Sequence, residues 1–147
     1  MRIISGYLKG KKIDLPKDDL TRPLKDMVKE SIFNIIEHSN DISFKLKEAV
    51  VLDLFSGTGS FGLECISRGA KKVIFNESYN IAIEILEKNI KNLNCENKCQ
   101  ILKSDCFNLL KNFNEKVDII FMDPPFKEEK INELIISITE ANILKQN

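Results

Sequence analysis

From residue 49 onward, short apolar runs alternate with longer stretches in which apolar residues recur every three or four positions. The runs cover residues 49–55, 72–76, 99–103 and 117–122, are rich in Val, Ile and Phe, and are bounded by polar residues or Gly. Such near-continuous apolar runs are the mark of strands covered on both faces. The periodic stretches between and after them predict helices over 60–68, 79–93, 106–113 and 128–141. Strand, helix and strand in repeated succession give βαβ units, and so an α/β fold with a doubly wound, mostly parallel sheet. Ahead of this body, residues 2–7 and 11–15 predict a small β-hairpin turning near 8–10, with Gly6 and Gly10 as punctuation. Val28, Ile32, Phe33, Ile35 and Ile36 then predict an amphipathic helix reaching about His38. A polar stretch at 39–43 separates the two parts, so the chain divides into an N-terminal hairpin and helix (1–40) and a main α/β domain (41–147).

Composition narrows the class without changing that picture. Of 147 residues, 43 % are hydrophobic and 30 % charged, which excludes disordered, collagen-like and mucin-like chains. The apolar runs are too short to cross a bilayer, and Lys9, Lys11, Lys12 and Asp14 interrupt any leader-like core near the start. A cytoplasmic address without membrane contact is expected. Cys65, Cys95, Cys99 and Cys106 show no two-residue spacing, and the one histidine, His38, is remote from them, so reduced thiols and no metal site are expected.

Charge balances at 22 basic and 22 acidic residues, so affinity for a polyanion must come from local asymmetry. Residues 1–12 supply it: Arg2, Lys9, Lys11 and Lys12 occur with no acid among them. Such a patch either contacts phosphates or is the solvated edge of a hairpin. Arginine is scarce, with Arg2, Arg22 and Arg68 alone, which singles these out as candidate bidentate phosphate ligands.

In an open α/β sheet, ligands bind beyond the carboxyl ends of the strands. The first run ends in Asp53-Leu54-Phe55-Ser56-Gly57-Thr58-Gly59-Ser60-Phe61-Gly62, a G-x-G-x-x-G turn opening a helix, with Glu77 twenty residues after the first glycine. That spacing suits a nucleotide whose ribose hydroxyls are read by an acid. Asp53, four residues before Gly57, would repel a pyrophosphate but could hold an ammonium. The fourth run ends in Asp123-Pro124-Pro125-Phe126, a rigid acidic corner with an aromatic side chain, for which hydride transfer has no use. Together they suggest a cationic cofactor and a planar substrate.

The loop from Asp53 to Gly62 and the Asp-Pro-Pro-Phe corner resemble class I S-adenosylmethionine-dependent methyltransferases acting on exocyclic amino groups. Arg2-Ile3-Ile4-Ser5-Gly6, Lys9-Gly10-Lys11-Lys12, Arg22-Pro23, Asp26, Lys29-Glu30 and Phe33-Asn34 further resemble the RsmD-type 16S ribosomal RNA (guanine-N2)-methyltransferases. The resemblance implies that Asp53, Phe55, Gly57 and Gly59 cradle the methionine part of the cofactor and that Glu77 takes the ribose hydroxyls. It implies that Ser104, Asp105 and Cys106 meet the adenine, although Asp105 would serve equally as a helix N-cap. Asp123, Pro124, Pro125 and Phe126 would form the catalytic corner, and Arg2, Lys9, Lys11, Lys12 and Arg22 would contact RNA. For Arg22, structural pairing beside Pro23 is an equal alternative.

The substrate implied is ribosomal RNA or an assembling small subunit, and the full-length protein is expected to be a monomer. The alternatives are methylation of adenine N6 and an impaired fragment that only binds cofactor or RNA. The chain departs from the family pattern at Leu24, Met27 and Tyr79, and it ends after a helix where relatives continue with about three more strands of a seven-stranded sheet.

Overall fold

The four apolar runs become β1 (Val50–Leu54), β2 (Lys72–Glu77), β3 (Cys99–Lys103) and β4 (Ile119–Met122), all parallel and ordered β3-β2-β1-β4. This computed structural model describes residues 1–18, 24–125 and 128–146, so the expectations for Arg22 and Phe126 lie outside the described residues. The chain runs outward from β1 to β2 and β3, then returns across the sheet to place β4 on the other flank of β1. The order therefore reverses between β1 and β4, and a crevice opens at the carboxyl ends of strands flanking such a reversal.

Helices α1 (Asp26–His38), α2 (Ser60–Ser67), α3 (Asn80–Asn92), α4 (Cys106–Asn112) and α5 (Glu128–Ala141) fall close to the predicted spans. Side chains alternate across the strands and create two cores. On one face Val51, Val73 and Phe75 pack with Phe61, Leu63 and Ile66 of α2 and Leu86 and Ile90 of α3. On the other, Leu52, Leu54 and Ile74 pack with Cys106 and Leu110 of α4 and Leu134 of α5. This is the doubly wound α/β architecture that the pattern predicts, a parallel sheet with helices on both faces. Phe61 lies at the centre of a stack, 5.1 Å from Phe33 of α1 and 3.8 Å from Phe121 of β4, measured between ring centroids. Each such pair is worth about 0.5–1.5 kcal/mol beyond its buried area. None of the helices among the described residues is long and apolar enough to cross a membrane.

The N-terminal hairpin is shorter than its sequence predicts. A single antiparallel bridge joins Arg2 to Lys12, flanked by hydrogen bonds from Ile3 N to Lys11 O and from Gly10 N to Ile3 O, both 2.9 Å. The reason is competition from α2. Glu64 accepts the N–H groups of Ile4 and Ser5 at 2.8 and 2.9 Å, Ser67 O accepts that of Tyr7 at 3.0 Å, and Ser67 Oγ accepts that of Leu8 at 2.9 Å. Ile4, Ser5, Tyr7 and Leu8 thus satisfy their amides on the helix. Ile3, Leu8, Ile13 and Phe33 bury into the core of the α2/α3 face, so the N-terminal arm and α1 share that core with the main body.

β4 likewise starts later than predicted, at Ile119. Val117 instead bridges Leu144 in parallel, donating its N–H to Ile143 O at 2.9 Å, while Asp118 takes the Val50 N–H and Lys145 Nζ, each at 2.7 Å.

Candidate cofactor and catalytic site

The β1–α2 turn is built from three residues with positive φ in five: Phe55 (60°), Gly57 (54°) and Gly59 (89°). Glycine adopts this region freely, whereas Phe55 is held there at a cost of about 1–3 kcal/mol, a form of strain that gathers at functional loops. Gly59 has a second constraint, since a Cβ would fall 2.5 Å from Leu86 Cδ1. At Gly62 a Cβ would fall 2.3 Å from Phe75 Cε1, so this third glycine is what lets α2 lie close against the sheet. Gly59 precedes α2 in the left-handed conformation and offers no side-chain cap. Asp53 substitutes from inside the strand, accepting the Gly62 N–H at 3.1 Å.

Asp53 is 1 % exposed, and burial pushes its carboxyl up to about 8; the Gly62 hydrogen bond opposes this, and the charges of Glu77 and Asp123 add to it. Glu77 closes the loop from the next strand. One carboxylate oxygen accepts the Gly57 N–H at 2.7 Å, and the other accepts the N–H groups of Ser78 and Tyr79 at 2.8 and 3.0 Å. Tyr79 also donates its hydroxyl to Asp18 at 2.9 Å.

Beyond β3, Asp105 is the N-cap of α4, accepting from Phe107 N at 3.0 Å and Asn108 N at 3.2 Å. This is one of the two roles open to it in the sequence, and its exposed position leaves it at the mouth of the same rim. Ser104 is fixed by Asn76, whose amide donates to Ser104 O at 2.8 Å and Leu102 O at 3.1 Å. Cys106 is buried, and its thiol is pushed up to about 11 by burial and then by the Asp105 charge.

Asp123, Pro124 and Pro125 leave β4 where Met122 pairs with Leu54. Asp123 therefore stands next to Phe55 at the same sheet end, exposed, and near enough for its charge to act on Asp53. The structure thus brings Asp53, Phe55, Gly57, Gly59, Glu77 and Asp123 to one rim. Arg2, Lys9, Lys11 and Lys12 lie apart from it on the arm, and all four are exposed. Arg2 and Lys9 line a depression of about 290 Å³ whose α1 wall carries Asp26 and Glu30, so acids bound the basic surface on that side.

Four supporting residues had no role assigned to them from the sequence: Asn76, Asn89, Lys29 and Glu64. The signal available for the last three was a polar residue on a helix face that is otherwise buried, as Asn89 is between Leu86 and Ile90 and Lys29 is one turn from Phe33.

A family model described as "Conserved hypothetical protein 95" matches residues 1–147. The chain belongs to this family. Within it, the chain is 33 % identical to the Haemophilus influenzae ribosomal RNA small subunit methyltransferase D, covering 100 % of this chain and 75 % of that protein. With the Escherichia coli ribosomal RNA small subunit methyltransferase D the identity is 31 %, over 100 % of this chain and 68 % of that one. The solved structure of yhhF from Escherichia coli superposes with a TM-score of 0.85 at 28 % identity, covering 99 % of this chain and 75 % of that one. This family member is thus a homologue of the RsmD-type methyltransferases and has the class I S-adenosylmethionine-dependent fold.

The residues at the rim fit that cofactor. Glu77 offers carboxylate oxygens to a ribose diol, and Asp53 can become an anion beside an ammonium. The loop from Asp53 to Ser60 carries no Lys or Arg to receive a pyrophosphate.

Proposed function

We propose that this protein transfers a methyl group from S-adenosylmethionine to the N2 amino group of a guanine in small-subunit ribosomal RNA, in the cytoplasm. The observation that carries the reading is the register of β1 against β4, which sets an Asp-Pro-Pro corner beside a glycine loop flanked by two acids. The names of the homologues supply the substrate class. Asp53, Phe55, Gly57 and Gly59 would hold the methionine part, Glu77 the ribose, and Ser104, Asp105 and Cys106 the adenine.

When bound, the cofactor supplies an electrophilic methyl group on a sulfonium whose leaving thioether needs no proton. The difficulty then lies with the nucleophile, because a guanine N2 lone pair is delocalised into the ring. In this proposal the Asp123 carboxylate and the Pro124 carbonyl each accept one N–H, which turns the lone pair toward the sulfonium. The two prolines fix φ and keep both acceptors still. Orientation of this kind contributes up to about 7–11 kcal/mol, so it outweighs proton removal, and Asp123 serves as orienting acceptor and final proton sink. Phe126 stacks on the base, a contact worth about 1–3 kcal/mol. The arm and α1, residues 1–40, form the RNA-binding extension.

Incubation with labelled cofactor and ribosomal RNA from cells lacking the modification tests the reading. Labelled N2-methylguanosine is the expected product. Label in N6-methyladenosine would overturn the guanine assignment, and no transfer despite cofactor binding would leave a fragment that only binds.

Reversing Lys9, Lys11 and Lys12 to Glu lowers RNA affinity and flattens the log–log salt slope by about 0.7–0.9 for each phosphate no longer neutralised, read from titrations at several KCl concentrations. An unchanged slope would return the arm to a solvated edge. Cofactor binding is also expected to depend on pH. With its folded value raised, Asp53 is neutral in the free protein below about pH 8, and the free protein loses stability as pH climbs from the ordinary carboxylate range to that value. A ligand ammonium favours the carboxylate, so binding expels a proton and tightens as pH rises toward 8. Calorimetry of S-adenosylhomocysteine in buffers of different ionisation enthalpy measures that proton.

A further inference from the structure

We propose that Asn89 and Lys29 are positioning residues that fasten the N-terminal arm to the cofactor loop, so that filling the loop orders the arm. The inference rests on the cofactor and RNA roles proposed above. Asn89 is 1 % exposed and uses its whole amide as a bridge. Its Oδ1 accepts the Asp14 N–H at 2.9 Å, and its Nδ2 donates to Asp14 O and to Thr58 O, both at 3.0 Å. Thr58 lies between the two loop glycines, and Asp14 closes the arm.

Lys29 does the same from α1. Its ammonium is fully buried and donates to Arg2 O at 3.1 Å and to Ser60 Oγ at 3.3 Å, with Glu64 at 3.5 Å. Ser60 directly follows Gly59, and Arg2 opens the arm. Both neighbours of Gly59 are thus tied to the arm, one near each of its ends. Between those ends stand Lys9, Lys11 and Lys12.

An apolar residue at 89 would pack between Leu86 and Ile90 with no amide to satisfy. In a low-dielectric interior these hydrogen bonds are strong when made and costly when broken, so the arm and the loop cannot shift independently. Tyr79, through its hydroxyl on Asp18, holds the segment that follows the arm beside Glu77.

Hydrogen exchange of the whole chain, with and without saturating S-adenosylhomocysteine, tests the proposal. In the wild type the ligand slows exchange at residues 57–62 and also at the N–H groups of Ile3, Gly10 and Ile13 on the arm, the latter by at least about five-fold, the lower end of usual coupling between sites. In Asn89→Leu, which keeps the branched outline of the side chain, and in the milder Ser60→Ala, the loop is still protected while the ligand-dependent slowing on the arm falls below two-fold. A residue that only stabilised the fold would lower protection equally with and without ligand, leaving the ratio intact. Retention of the full ratio in both variants, or loop protection without arm protection in the wild type, overturns the proposal. The readout contains no RNA, so failure of methyl transfer to ribosomal RNA would overturn the function above without touching this result.

Discussion

Asp123→Ala lowers methyl transfer by about 100- to 1000-fold, the usual loss when one preorganised polar group is taken from a reacting centre. Affinity for S-adenosylhomocysteine stays within a few-fold, because Asp123 comes from β4 whereas the loop's own hydrogen bonds run to β2: Gly57 N to Glu77 at 2.7 Å and Ser56 N to Asn76 O at 3.0 Å. Glu77→Ala gives the opposite profile, weakening the cofactor first. Single-turnover rates and calorimetric titrations on the two variants separate the roles. Near-normal turnover by Asp123→Ala would reject the orienting function outright.

The second large effect is on stability. Glu64 is fully buried and receives Ile4 N, Ser5 N and Arg68 Nε within 2.9 Å, with the Lys29 ammonium at 3.5 Å. Glu64→Ala strips the nearer carboxylate from a buried lysine, leaving it Asp26 at 4.0 Å, and orphans two amides, which costs about 3–5 kcal/mol. For a chain of this size that loss lowers Tm by about 6–20 °C. Urea denaturation measures it directly. Adding Lys29→Met to Glu64→Ala recovers part of the loss, since the under-compensated ammonium is then gone, while Arg68 keeps Glu37 at 3.0 Å. A second substitution that only added to the first would mean that the buried charge is not the source of the cost.

Periodicity located the sheet and the helices most sharply where burial and pattern coincide, in β1 and β2, which are buried on both faces, and in α3, which is buried on one. The glycine loop was legible because Gly57, Gly59 and Gly62 each meet a constraint that a Cβ would violate or strain. What the pattern could not give was competition for backbone amides. Residues 2–7 read as a strand, yet Glu64 and Ser67 on a helix sixty residues away take the N–H groups of Ile4, Ser5 and Tyr7. Val117 looks like the start of β4, yet its N–H goes to Ile143. The same limit hid Asn89 and Lys29. Their roles depend on which distant carbonyl stands opposite, and tertiary packing alone decides that.

The stack of Phe33, Phe61 and Phe121 has a consequence for how this fold drifts through descent. Three rings from a leading helix, a loop-bearing helix and a strand that ends at the Asp-Pro-Pro corner fill one continuous column. Shrinking any one ring opens a gap that a larger member of the column would fill. Across related chains, ring size at 33, 61 and 121 is therefore expected to vary jointly at constant total volume, and a lineage with two small residues among the three would carry a tilted corner.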